Sequence, residues 1–547
     1  MPKTNTPFLN QLYFGDCLDV VRELHEHHPE GFIDLIYIDP PFNSKRNYNV
    51  LFESIDLKDA TAQKQAFADT WSNVSYIDTI HELAAIDRDL HKFLTTLSEI
   101  RGSDSTVAYL TTMAIRIHYM HKLLKSTGSF YLHCDSTMSH YLKIICDLIF
   151  GEKNYRNEII WQRSHAHSDS GQGAKHFGRV TDTILFYAKS DKQIWNASYT
   201  EYTAEALERD FKFVEEGTNR RYRYTPLDGP GGAAKGNPYY EFLGVTNYWR
   251  YSKERMQELY DQGKIVKSKK GGSLSQIKYL DESKGKSIDN LWIDIHRIAP
   301  NANESLGYPT QKPVALLERI IKVSTSEGDL VADFFCGCGT TIAAAQKLNR
   351  KWIGADISHL AIRLISKRLM DAYGIGIRKE FEIKGFPRDI GSAKELSLTK
   401  GGRFEFQDWV VEVLLNGVLN TKKSADGGWD GYLIFNMPDK KEFAIIEVKS
   451  GNVNVKNVRE FIHVIENEKA AIGIFVCFEE QVTQPMLKEA KQAGYFREDL
   501  FNPIYPKLQI ITIEDLLKHT APKLPNLQTT FKTAQRSEEK MGKGLFD

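Results

Sequence analysis

The 547-residue chain has no excess of either charge: 71 Lys and Arg balance 71 Asp and Glu. Overall basicity therefore cannot hold nucleic acid, and any phosphate contact needs a local patch. Cysteine is scarce. The six, Cys17, Cys134, Cys146, Cys336, Cys338 and Cys477, are scattered. They suggest no disulfide framework and fit a reducing cytoplasm. Cys336 and Cys338 have no Cys or His partners at zinc spacing, so they read as small loop residues. No apolar run is long enough to span a bilayer, and Met1–Thr6 lacks the apolar core of a signal peptide. A cytoplasmic location and no membrane partner are expected. Length leaves room for roughly two to four domains.

What is present begins with Phe32-Ile33-Asp34-Leu35-Ile36-Tyr37-Ile38-Asp39-Pro40-Pro41-Phe42-Asn43. The nearly continuous apolar run reads as a strand buried on both faces of a parallel sheet. Two prolines end it in a rigid turn at its carboxyl edge, where ligands bind in open α/β sheets. A nucleobase amino group is a poor nucleophile because its lone pair is delocalised. Two acceptors taking its N–H hydrogens help to free that pair. Asp39 supplies a carboxylate, the Pro40 carbonyl a second acceptor stiffened by Pro41, and Phe42 a face for an extruded base. The plain alternative is a strand followed by a proline turn.

A second stretch, Asp329-Leu330-Val331-Ala332-Asp333-Phe334-Phe335-Cys336-Gly337-Cys338-Gly339-Thr340-Thr341, reads as strand, glycine-bearing turn and helix start. Glycines let backbone approach a ligand closely. The pattern is neither Gly-x-Gly-x-x-Gly nor a P-loop, which argues against dinucleotide and ATP sites. Trp352–Asp356 is another apolar strand. It ends about twenty residues on in an acid, the spacing expected of a carboxylate holding ribose hydroxyls.

Together these motifs resemble the amino-group DNA methyltransferases that use S-adenosylmethionine (SAM), over roughly residues 10–395. Asp39-Pro40-Pro41-Phe42 looks like their catalytic motif and Asp333–Gly339 like their SAM loop, with Asp356 on the ribose. Tyr308-Pro309-Thr310-Gln311-Lys312-Pro313 looks like their motif flanking the SAM pocket. Catalytic motif first and SAM loop last is the order of the β class, which includes type III modification subunits. The resemblance implies SAM contacts from Asp16, Lys312, Asp333, Phe334, Phe335, Cys336, Gly337, Gly339, Thr340 and Asp356. Asp16 reads equally as a helix N-cap. A leading Asp implies adenine N6, although the pocket chemistry alone accepts cytosine N4 as well. An RNA or protein-amide methyltransferase is the competing class. Relatives methylating glutamine have Asn at the first motif position, so Asp39 argues against that branch.

Elsewhere, helical periodicity near Ile80–Leu97 and Thr106–Leu124 places His118 and His121 on helix surfaces. Gly128–Asp135 is a strand that the resemblance sets beside the target-base pocket. His133 and Asp135 are candidates there, with structural roles as the alternative. From about 195 to 305, basic and aromatic residues interleave on turns: Arg220–Tyr224, Tyr248–Tyr251, then Lys267, Lys269, Lys270, Lys284 and Lys286. Such a surface suits DNA, and the resemblance puts the target recognition domain here. The expected division is 1–194 and 306–395 for the two methyltransferase halves and 195–305 for recognition.

After about 395 a second unit begins, 396–520, followed by a polar tail, 521–547. Alternation along Phe443–Lys449 puts Glu447 and Lys449 on one strand face, with Asp430 on an adjoining strand. Two carboxylates hold Mg²⁺, and a lysine orients the attacking water. This Asp…Glu-x-Lys pattern resembles the Mrr-like restriction nuclease fold, with Asp430 and Glu447 as metal ligands and Lys449 as the catalytic lysine. Its plain alternative is a DNA- or partner-binding appendage. Glu405 and Glu412 are both available as an upstream helical glutamate. The expected fold is α/β: a Rossmann-like methyltransferase sheet, an inserted recognition domain and a C-terminal restriction-endonuclease-like domain. Double-stranded DNA is the expected partner, with room for a restriction subunit and a homodimer.

Overall fold

The computed structural model describes residues 9–41, 76–101, 105–165, 175–268, 272–299, 301–308, 310–398, 402–420, 428–436, 441–497, 504–518 and 520–525. Phe42, Asn43, Pro309, Lys269, Lys270 and most of the tail lie outside them.

The chain divides into two compact units, Ala197–Asp289 and the remainder. The remainder contains a nine-stranded sheet. Its spatial order is Leu291–Trp292, Tyr155–Gln162, Thr181–Ala188, Leu124–Cys134, Ile33–Ile38, Leu330–Asp333, Lys351–Asp356, Asn10–Phe14 and Phe381–Lys384. Only Thr181–Ala188 runs antiparallel to its neighbours. Every residue of Ile33–Ile38 is buried, as a continuous apolar run covered on both faces requires. The helices Cys17–His27, Ser105–Leu123 and Ser139–Phe150 pack Val20, Val21, Leu24, Leu110, Met113, Ile117, Leu142 and Ile145 against it.

The two motif strands are neighbours. Ile33–Ile38 pairs in parallel with Leu330–Asp333, Leu35 opposite Val331 and Ile36 opposite Ala332. The sequence separation of almost 300 residues is thus closed within one sheet, and both motifs end at the same carboxyl edge. Buried Asp34 ties the strands further: its carboxylate accepts from the Leu330 N–H at 3.0 Å and from Lys125 Nζ at 2.8 Å.

Unit Ala197–Asp289 has an antiparallel four-stranded sheet and the hairpin Tyr239–Phe242/Val245–Tyr248 around a small core that includes fully buried Trp249. Two expectations change here. Arg221–Pro226 is a strand instead of a turn, and Trp249 is core instead of a base-facing surface. Arg220 lies over the Tyr279 ring and pairs with Asp281 and Glu282, so its charge is already engaged.

The C-terminal sheet runs Val418–Leu419, Gly431–Asn436, Lys441–Val448, Ile472–Cys477 and Leu508–Thr512. Gly431–Asn436 and Lys441–Val448 form the expected hairpin, and the next two pairings are parallel. Gly402–Trp409 is α-helical and continues as a π-helical turn, Val410–Leu414. It stops at Asn416, whose φ is 56°. No helix among the described residues is long and apolar enough to cross a membrane.

Candidate functional site

Asp333 ends its strand buried. One carboxylate oxygen accepts from the Phe335 N–H at 3.0 Å, the other from Thr341 Oγ1 at 2.5 Å. Burial, with Asp39 and Asp356 nearby, pushes its carboxyl up to about 7. Asp356 is built the same way. It accepts from the Gly337 N–H at 2.8 Å and the Ser358 N–H at 2.9 Å, and burial raises it to about 6.

The loop between them is tight because glycine is required. Gly339 has φ +73°, and a Cβ there would lie 2.5 Å from Ile365 Cγ1. Gly337 has φ +49°, with the Tyr308 ring 3.4 Å from where its Cβ would be. The Gly339 N–H closes the turn on the Cys336 carbonyl at 2.7 Å. Phe334, Cys336, Cys338 and Thr340 are buried, whereas Phe335 is half-buried. Arg368 donates to the Cys338 carbonyl at 3.1 Å.

Asp39 follows its strand at the same edge, with Pro40 buried behind it. Its carboxylate pairs with the Lys312 ammonium, and both side chains are mostly buried. Lys312, expected as a cofactor contact, thus meets Asp39, the aspartate expected to be catalytic. Asp16 does cap the helix Cys17–His27, accepting from the Leu18 N–H at 2.7 Å. Both its oxygens also accept from Arg116 Nη2, at 2.7 and 2.8 Å.

His133 is fully buried. Its Nδ1 shares a hydrogen bond with the Tyr37 hydroxyl at 2.9 Å and its Nε2 one with Asp182 at 3.3 Å. Asp182 also pairs with Arg163. Burial opposes its charge, yet the His133 bond, Lys312 and Arg163 hold its carboxyl below the ordinary range. Asp135 holds the turn ahead of the helix Ser139–Phe150, its carboxylate accepting from the Thr137 hydroxyl and the Met138 N–H. His118 is not on the surface: it is buried against Asp87, and His121 is half-buried edge-on to Phe150.

In the C-terminal unit, Asp430 sits at the open end of the hairpin. Its N–H donates to the Ile446 carbonyl and its carboxylate accepts from the Val448 N–H, both at 2.7 Å. Glu447 is buried, and its Oε1 pairs with Lys449 Nζ at 2.6 Å. Its Oε2 is buried with no hydrogen-bond partner. Burial foremost, with a contribution from Asp430, raises its carboxyl to about 7. Of the upstream helix, Glu405 is exposed and Gln407 reaches this strand, donating to the Val448 carbonyl at 3.2 Å.

Thr341, Arg116, Ser358 and Gln407 escaped the sequence reading. Arg116 is 100 residues from Asp16, and only tertiary structure joins them. Thr341 carried a weak signal, lying in the first turn of the helix Thr340–Lys347 that follows Asp333.

Comparison with known proteins agrees with this geometry. The DNA methylase family matches residues 33–367, and a restriction endonuclease family matches residues 400–502. The type II methyltransferase M.EcaI of Enterobacter cloacae is 32% identical over 268 residues, 48% of this chain and 57% of the relative. The type III StyLTI Mod subunit of Salmonella typhimurium is 28% identical over 355 residues, 62% of this chain and 50% of the relative. The DNA adenine methyltransferase YhdJ of Escherichia coli is 23% identical over 356 residues, 65% and 81%. The chain spans about half the length of the first two relatives. A solved M1.HpyAVI–SAM complex aligns with 66% of this chain and 98% of its own, at 15% identity and a TM-score of 0.31. With a model match over more than half its length, and a restriction-endonuclease domain behind it, this chain belongs to the DNA methylase family.

Proposed function

We propose that the chain transfers a methyl group from SAM to an exocyclic amino group of a base in duplex DNA, adenine N6 above all. The observation that carries this is the meeting of Asp39, Lys312 and the Asp333 loop at adjacent strand ends. The donor set suits SAM. Each Asp356 oxygen accepts one backbone N–H, which leaves lone pairs for ribose hydroxyls. Gly337 and Gly339 offer backbone without side chains. Asp16 has carboxylate acceptor capacity for the adenine beyond its bonds to Leu18 and Arg116.

SAM, when bound, supplies a methyl group made electrophilic by its sulfonium. Asp39 and the Pro40 carbonyl accept the two N–H hydrogens of the target amine, orienting its lone pair and stabilising the positive charge that grows on nitrogen. Phe42 stacks the extruded base. Ala197–Asp289, with its exposed Tyr224 and Tyr239, serves within 195–305 as target recognition domain. A restriction subunit and a second copy of the chain are further proposed partners, in a cytoplasmic setting.

For 396–520 we infer a metal-dependent endonuclease. The buried, unpartnered Glu447 Oε2 beside Asp430 suits a divalent cation, Mg²⁺, which would screen their repulsion and polarise a water. Lys449 would hold that water or phosphate charge. The test of the main reading is label transfer: purified chain, methyl-labelled SAM, and DNA, RNA or protein. Label in DNA alone is expected, and label only in RNA or protein overturns it.

A further inference from the structure

The Asp39–Lys312 pair has a consequence that neither motif carries alone. Lys312 is delivered by a locked segment. Gln311 accepts from the Leu306 N–H at 2.8 Å and donates to the Glu304 carbonyl at 2.7 Å. Glu304 in turn accepts from the Val314 N–H at 2.6 Å, at the start of the helix capped by Pro313. Both neighbours of Lys312 in sequence are therefore fixed, and the ammonium is brought to a carboxylate 273 residues away. Its surroundings are acidic. Asp182 is held charged in part by Lys312, and Asp333 feels Asp39 and Asp356.

We propose that Lys312 is the positioning residue of the methyl-transfer site, fixing one oxygen of Asp39 so that the other faces the target amine, and neutralising that carboxylate toward the cofactor. This rests on the methyltransferase reading above. A carboxylate held at one oxygen loses rotational freedom yet keeps acceptor capacity at the other. The charge consequence is specific. SAM is a sulfonium cation at the reacting centre, and its product S-adenosylhomocysteine is neutral there. Asp39 must lie near that centre, because it binds the amine that receives the methyl group. With Lys312 present the pair is neutral and discriminates little between the two ligands. Without the ammonium, the bare carboxylate favours the cation.

The test uses the full chain and its K312M, K312Q, K312R and D39N variants, each first shown to melt cooperatively. Turnover on DNA is measured alongside calorimetric affinities for SAM and S-adenosylhomocysteine. In K312M and K312Q, kcat should fall roughly 10- to 100-fold, as for loss of a charge-assisted hydrogen bond, with no rise in KM for SAM. K312R should recover part of kcat. The SAM to S-adenosylhomocysteine affinity ratio should rise about 3- to 10-fold in K312M and fall in D39N, which leaves the ammonium uncompensated. Wild-type kcat in K312M overturns the proposal. So does a kcat loss with an unchanged affinity ratio, which reduces Lys312 to packing. If the wild-type chain methylates no DNA, the parent reading fails and this one with it. If wild type is active and only the variants disagree, this one fails alone.

Discussion

The methylase site and the endonuclease site are both built on buried carboxylates at strand ends, yet they are finished to different degrees. Asp333 and Asp356 have every oxygen occupied by a backbone or hydroxyl donor, and Asp39 has Lys312. Glu447 has Lys449 on one oxygen and nothing on the other. A buried acceptor without a donor is costly. The first arrangement is a preorganised surface for an organic ligand and a base. The second leaves one acceptor open, which suits the divalent cation proposed above, and among the described residues no third acid, His or Cys joins the pair, so the proposed ion would take its remaining positions from water and substrate.

The contrast breaks most sharply under single substitutions. Asp39→Ala should lower methyl transfer by about 10²–10³-fold or more, weaken SAM only severalfold through the uncompensated Lys312 ammonium, and leave cleavage intact. Filter-bound label and a cleavage gel read both. Loss of SAM binding in the folded variant would mean that Asp39 belongs to the cofactor pocket. Conversely, Asp430→Ala, Glu447→Ala and Lys449→Ala should each stop Mg²⁺-dependent cleavage and spare methylation. Absence of cleavage on unmethylated, hemimethylated and fully methylated DNA, with Mg²⁺ or Mn²⁺, would make the domain a binding appendage.

A smaller effect separates the cofactor acids from the catalytic one. Asp356→Ala should weaken SAM by about 1.5–3 kcal/mol in titration calorimetry. Unchanged affinity would remove Asp356 from the site. The smallest effect is one of stability. Glu447 titrates near 7 in the folded chain, above its ordinary 4.5. Its contribution is therefore fully present below about pH 4.5 and is lost as pH rises through 7. Glu447→Gln should raise the melting temperature of the metal-free protein at pH 8, by about 1–3 kcal/mol in stability, and leave it little changed at pH 4.5. Mg²⁺ should stabilise the wild type at pH 8 and not the variant.

Much of this was legible in the chain. The apolar run before Asp39, the glycines at 337 and 339, and the alternation around Glu447 each reflect one local rule. Periodicity or turn chemistry states such rules directly. The pairing of the two motif strands followed from needing one site. Other features were not legible because their cause is tertiary. His118 looked like a helix-surface residue, but the helix Ser105–Leu123 is buried nearly all round, which erases its amphipathic stripe. Trp249 read as a base-stacking aromatic because its neighbours are basic, and only the small core around it reveals its role. Lys312 was recognisable as part of a motif, but its partner became visible only once the sheet had folded.

The central claim is that the Asp39 site methylates a DNA amino group. Mass spectrometry of nucleosides from DNA incubated with the purified chain and SAM tests it most directly. The account predicts N6-methyladenine with the wild type and none with Asp39→Ala. N4-methylcytosine as the sole product would contradict the adenine assignment, and no methylated nucleoside from the folded wild type would contradict the site itself.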